Sequence, residues 1–226
     1  MLIIFKCTAG GNDGWGNILR LKIIFEKLKN KINFNYFFII NNNLELIKFL
    51  KKNKILFKAF DSFKKEKEFL NKCKINISIL ELLNCKSSIQ RFYKLNSEKL
   101  IILDDIAKKK YISDILIICQ KKNKSKIIKN KNTKVFNDYS FFPLKKKFDN
   151  FLKKKILINK EIKKITVFLG GGFYFKEYFK IAKILSECSY SINFILGHEV
   201  KKNPLKKILK MNKNFKCYVL PKNIPE

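Results

Sequence analysis

Apolar residues along the chain come in short runs separated by stretches of helical spacing. The run at 2–5 opens the sequence, and apolar positions then recur at Ile18, Leu21, Ile24, Phe25 and Leu28. The first pattern predicts a buried strand and the second an amphipathic helix over 18–31. The alternation continues. Strands are expected at 35–40, 55–59, 75–80, 99–103, 115–119 and 133–136, and helices at 44–52, 64–72 and 87–95. Strands alternating with helices imply an α/β fold, a parallel sheet covered on both faces.

Between 148 and 164 the strand pattern gives way to lysine-rich sequence. A second series then starts: strand 165–169, helix 174–187, strand 191–196, helix 205–210 and strand 215–220. This divides the chain into an N-terminal Rossmann-like domain at 1–150, a linker at 151–164 and a C-terminal domain at 165–226. The second series is short for a doubly wound domain, and Asn223-Ile224-Pro225-Glu226 reads as the opening of another element. The C-terminal domain is therefore expected to be partial.

Each series opens with strand, glycine loop and helix. The first loop holds Gly10, Gly11, Gly14 and Gly16, half of the eight glycines in the chain; the second holds Gly170, Gly171 and Gly172. Such junctions set backbone amides and a positive helix end at the carboxyl edge of a sheet, where phosphates and the sugars attached to them bind. The spacing Gly10-Gly11-x-x-Gly14-x-Gly16 departs from the dinucleotide fingerprint G-x-G-x-x-G. The second strand closes in Asn41-Asn42-Asn43 without an acidic residue, and no G-K-[ST] follows.

Composition adds limits. At 46% apolar residues, the 226-residue chain can bury a sizeable core. Its six cysteines are scattered without a C-x-x-C pair, which favours reduced thiols over a metal site. No apolar run reaches the roughly 18 residues that span a bilayer. No signal-peptide pattern opens the chain, so a cytoplasmic location is expected. The net charge of +32 invites a nucleic-acid reading, but all except two of the 50 basic residues, Arg20 and Arg91, are lysine. Bidentate phosphate and base recognition leans on arginine. Lysine spread over almost every surface stretch reads as a solvated coat, with peripheral attraction to anionic lipid left open. No nucleic-acid partner, no metal and no cofactor are expected, and the chain is read as a monomer.

Five segments, in order, carry a resemblance. Gly14-Trp15-Gly16-Asn17-Ile18-Leu19-Arg20 resembles the G-x-G-H-x-x-R loop of the UDP-sugar hydrolases of pseudaminic acid biosynthesis and of related spore-coat polysaccharide glycosyltransferase-like proteins. Ile101-Ile102-Leu103-Asp104-Asp105-Ile106-Ala107 is similar to that family's apolar strand followed by D-D-x-A. The stretch from Ser113 to Gln120 resembles its next strand. Asp138-Tyr139-Ser140-Phe141-Phe142-Pro143-Leu144 with Phe148 is similar to G-P-x-Y-x-x-L-R-x-x-F. The run from Lys164 to Gly172 resembles the strand that ends in G-G-S-D-P.

The resemblance implies a GT-B-like fold, that of the peptidoglycan N-acetylglucosaminyltransferase, with a ligand cleft between two domains. It also implies attack of water on the anomeric carbon of a UDP-linked diacetamido-trideoxy sugar. The alternatives are a GT-B glycosyltransferase using a nucleotide-sugar donor, and an inactive nucleotide-sugar-binding fragment.

Asn17 stands where the family has its histidine. An amide can orient a water or a sugar but takes no proton near neutral pH. Asp13 is the substitute base within the loop, or else a loop or helix-cap carboxylate. Gly14, Gly16, Arg20, Gly170, Gly171 and Gly172 are the expected substrate-binding positions. Asp104 and Asp105 read as capping and loop-bonding carboxylates rather than a metal pair. Glu81, closing a strand, carries no assigned role.

Overall fold

A computed structural model describes residues 1–10, 13–83, 85–104, 110–120, 128–144, 148, 161–170, 174–196 and 202–219. The chain divides into two compact units, Met1–Asp149 and Asn150–Glu226.

In the first unit, β1 (Leu2–Cys7), β2 (Asn35–Asn41), β3 (Phe57–Phe60), β4 (Ile75–Glu81), β5 (Ser97–Leu103), β6 (Ile115–Ile118) and β7 (Lys134–Asn137) form one parallel sheet in the order β3-β2-β1-β4-β5-β6-β7. The chain starts in the middle of the sheet, winds outward to β3, then crosses back to β4 on the other side of β1. The strand order thus reverses between β1 and β4. In open α/β sheets the crevice at such a reversal, outside the carboxyl ends of the strands, is where ligands bind.

The alternation of side chains along β1 explains the two cores. Ile3, Phe5 and Cys7 point to one face and pack with Ile18, Leu21 and Phe25 of α1 (Gly16–Lys29) and with Leu46 and Leu50 of α2 (Leu44–Lys52). Ile4 points to the other face, into a core shared by Leu70 of α3 (Phe63–Leu70) and Tyr93 of α4 (Ser87–Asn96). The inner strands β1 and β4 are largely buried on both faces and read as near-continuous apolar runs, as inner parallel strands do.

The second unit holds β8 (Lys164–Phe168), α5 (Phe175–Leu185), β9 (Ser191–Leu196), α6 (Lys202–Leu209) and β10 (Phe215–Val219), with the parallel order β10-β9-β8. Its core gathers Tyr178, Ala182, Ile192, Phe194, Leu196, Ile208 and Phe215. The hydroxyl of Tyr178 accepts from the Leu169 amide at 2.8 Å and donates to the Ile195 carbonyl at 2.6 Å, so it joins the end of β8 to β9.

Of the boundaries that differ from the sequence expectation, two have a local reason. The strand expected from residue 55 begins at Phe57, because Lys54 adopts φ 54° and the Ile55 amide bonds back to the Leu50 carbonyl, closing the end of α2. The helix expected from residue 205 begins at Lys202. Pro204 lies in its first turn, where a missing N–H costs no helical bond. Most of the expected linker, residues 151–160, lies outside the described residues. Among those described, no helix is long and apolar enough to cross a membrane.

Candidate functional site

The first glycine loop leaves β1 at Cys7 and returns into α1 at Gly16. Two of its glycines have left-handed backbone, Gly10 at φ 88° and Gly14 at φ 64°. The Gly10 amide bonds to the Gly14 carbonyl at 2.9 Å, which draws the loop closed. Gly16 has no such conformation. A Cβ there would meet the Arg20 guanidinium at 3.5 Å, an ordinary contact, so the glycine expected to admit a ligand at position 16 is not required by the backbone.

Neighbouring loops hold this one in place. The Asn41 side chain, at the end of β2, accepts from the Ala9 amide and donates to the Ala9 carbonyl, both at 3.3 Å. Asn43 caps α2 by accepting from the Leu46 amide at 3.0 Å, and its side chain occupies the space beside Gly10 that a Cβ would need. Trp15 packs edge-on to Phe49 of α2. In a dinucleotide site the end of the second strand offers an acidic group to a ribose. Here Asn41 at that place is engaged with the loop backbone.

Helix α1 begins at Trp15 as N-cap, with no side-chain cap bond, and Asp13 lies two residues earlier. Of the loop and helix-cap alternatives, Asp13 takes the first: it is a loop carboxylate, half-buried, whose own amide bonds to the Gly10 carbonyl at 3.2 Å, and it does not cap α1. In the second unit Gly170 also has φ 88°, with no atom of the described residues within 4 Å of where a Cβ would stand, and α5 likewise starts without a side-chain cap, at Tyr174. By contrast α2 and α3 are capped by Asn43 and Ser62. Uncapped first-turn amides remain available to an anion.

The chemistry of the first unit concentrates where β1 and β4 end side by side, with Cys7 in register with Glu81 and Glu81 with Leu103. Asn17 and Arg20 lie one turn apart on α1. The Arg20 Nε donates to Glu81 Oε1, and its other guanidinium nitrogen donates to Asn17 Oδ1 at 3.2 Å. The Asn17 amide nitrogen donates to the Thr8 carbonyl at 3.3 Å. The Arg20 guanidinium also sits 5.6 Å over the Phe142 ring, in the turn that follows β7. The Glu81 side chain is only 4% exposed, whereas that of Arg20 is 18% exposed and so is partly open to solvent. Burial, reinforced by the Glu81 carboxylate, pushes the Cys7 thiol far above its ordinary range, against a smaller opposing pull from Lys6.

The structure thus brings together Asn17 and Arg20, with Gly14 in the same loop. It adds Glu81, Phe142 and Asn41, which sequence reasoning left without a role; the position of Glu81 at the last residue of a strand was the available signal. Asp104 is buried at the end of β5, with its amide bonded to the Ile117 carbonyl. No group of three or more metal-binding side chains occurs among the described residues. Asp105, Gly171, Gly172 and His198 lie outside the described residues. An open groove of about 350 Å³, lined by Lys29, Ile32, Phe34 and Tyr36, lies at the opposite edge, where β2 begins.

No family model and no curated protein matches the sequence. Among solved structures, MurG of Acinetobacter baumannii is similar, with a TM-score of 0.56 at 10% identity. The match covers 98% of this chain and 68% of MurG. The fold is GT-B-like. At this identity the likeness concerns architecture alone, which in this chain is a seven-stranded and a three-stranded parallel sheet.

Proposed function

We propose that the chain acts on a nucleotide-sugar, a UDP-linked amino sugar whose bond to UDP is broken at the anomeric carbon. The observation that carries this reading is the Asn17–Arg20–Glu81 group at the strand-order reversal of a GT-B-like fold, beside a glycine loop and an uncapped helix. First-turn amides of α1 and the turn at Gly14 suit a sugar or phosphate oxygen. Gly170, with Gly171 and Gly172 after it, would approach the diphosphate in the same way.

In the hydrolase form of the reading, water attacks the anomeric carbon, the C–O bond to the diphosphate breaks and UDP departs with that electron pair. The sugar is a diacetamido-trideoxy hexose of surface-polysaccharide or pseudaminic acid biosynthesis. This form rests on the five ordered segments of the sequence. Asp13 is then the carboxylate in reach of the loop that can take the proton of water. In the second form an acceptor hydroxyl takes the place of water and the chain is a glycosyltransferase. The likeness to MurG favours that form, as does the amide at position 17, which is bonded at both ends and takes no proton.

The test is incubation of the protein with a panel of UDP-amino sugars, with and without carbohydrate acceptors, following release of UDP and the glycosyl product. Release without acceptor supports the hydrolase, and release only with acceptor the transferase. Tight UDP binding with no release under either condition leaves a binding protein.

A further inference from the structure

Glu81 has a role in this site that its position implies. Its carboxylate is buried at the last residue of β4, beneath the guanidinium it holds. A buried carboxylate is stable there only while its cation stays in place, because an unpaired charge in the interior costs far more than the pair. The cation cannot drift either. Arg20 is fixed at Nε by Glu81, at a second nitrogen by Asn17 and on its flat face by Phe142. Asn17 is in turn tied to the Thr8 carbonyl, at the root of the glycine loop.

We infer that Glu81 and Asn17 are positioning residues that hold the Arg20 guanidinium at the mouth of the crevice for the nucleotide-sugar. The inference rests on the function proposed above. It gives the amide at position 17 a purpose that involves no proton transfer. Asparagine presents a carbonyl oxygen to Arg20 and an amide to Thr8 without any change of protonation. It also separates two tasks at one site: Glu81 and Asn17 set geometry, and Arg20 alone of the three meets the ligand. An arginine fixed in advance loses little conformational freedom on binding, which is how preorganisation raises affinity.

The chain has only two arginines, so the Nε–H region of a nitrogen-15 NMR spectrum holds two signals. Arg91→Lys, an exposed position on α4, assigns them. A proton held against a buried carboxylate exchanges slowly, so the Arg20 signal is expected to be sharp in the wild type and lost in Glu81→Gln. UDP binding by calorimetry gives the second readout. Glu81→Gln is expected to weaken UDP about tenfold, the scale of one charge-assisted hydrogen bond. Glu81→Gln with Arg20→Ala is expected to bind no more weakly than Arg20→Ala alone, since Glu81 acts through Arg20. Asn17→Asp, which keeps an acceptor for Arg20 but not the donor to Thr8, is expected to weaken UDP less than Asn17→Ala.

If the wild type binds UDP and Glu81→Gln binds it within twofold, while its melting temperature falls, Glu81 is merely structural and the inference is overturned. The same holds if the double variant adds the two losses. Failure of the wild type to bind UDP at all overturns the nucleotide-sugar reading and the inference with it, and the sharp Arg20 signal would then report only an ion pair.

Discussion

The Lys6 ammonium on the central strand lies 2.6 Å from the Glu66 carboxylate on α3, and both side chains are buried. The Tyr93 hydroxyl donates to the other oxygen of Glu66 at 2.8 Å, which holds the phenol well above its ordinary pKa through burial first and the neighbouring carboxylate second. Lys6 follows Ile4 on the face covered by α3 and α4, so one charged residue in β1 is matched by one in α3. Removing one partner leaves a buried charge, whereas replacing both leaves an apolar core. Glu66→Ala is therefore expected to destabilise by about 3–5 kcal/mol in urea titration. Lys6→Met combined with Glu66→Leu is expected to cost far less than the two single changes summed.

Gly10 and Gly170 share φ 88° but differ in what surrounds them. A Cβ at Gly10 would lie 2.5 Å from the Asn43 amide nitrogen, and moving Asn43 would break the α2 cap. At Gly170 nothing among the described residues stands within 4 Å. Gly10→Ala is expected to cost roughly 2–3 kcal/mol, strain plus cap, and Gly170→Ala about 1 kcal/mol of strain alone. Thermal unfolding of the two variants ranks them, and equal losses would contradict the packing argument.

The Asp114 side chain, just before β6, links two elements of the first unit, α4 and β5. It accepts from the Leu100 amide at 2.8 Å and from Lys94 on α4 at 2.7 Å. Partial burial opposes its ionisation, but these bonds and the lysine charge outweigh it and hold the carboxyl below its ordinary value of 3.8. A carboxyl lowered in the folded state contributes stability above its unfolded pKa and loses it as pH falls through the folded one. Asp114→Asn is expected to be less stable than wild type at pH 7, by about 1 kcal/mol for an ion pair open to solvent. The gap should close below pH 3.8, and a gap unchanged by pH would refute the linkage.

In the second unit the Tyr178 hydroxyl is the only part of that side chain that Phe would lack. Both of its bonds go to backbone, on β9 and just after β8. Tyr178→Phe leaves the Leu169 amide without this acceptor and is expected to cost about 1–3 kcal/mol. Hydrogen exchange should rise first at Leu169, ahead of the core of β9.

Much of this architecture was legible because parallel strands are apolar on both faces. The runs at 35–40 and 191–196 stand out against lysine-rich helices, and the expected helix 44–52 matches α2 residue for residue. What escaped was pairing across distance. Nothing near Glu81 in sequence announces Arg20, and nothing near Asn41 announces Ala9, because a parallel sheet brings together residues that its crossovers keep far apart. Gly16 differs from Gly10 and Gly14 in that its own backbone is the first turn of a helix, with no left-handed φ.

Arg20 and Glu81 are 61 residues apart in the chain. During synthesis on the ribosome, β1, α1 and β2 emerge with the guanidinium still in water. It gains its carboxylate only when β4 pairs against β1, and the Phe142 ring later still, with the turn after β7. The loop translated first is thus among the last parts of the first unit to be finished. A nascent chain arrested after β3 would carry the glycine turn and Asn17 but neither Glu81 nor Phe142, so its arginine would lack the carboxylate and the ring that complete its setting.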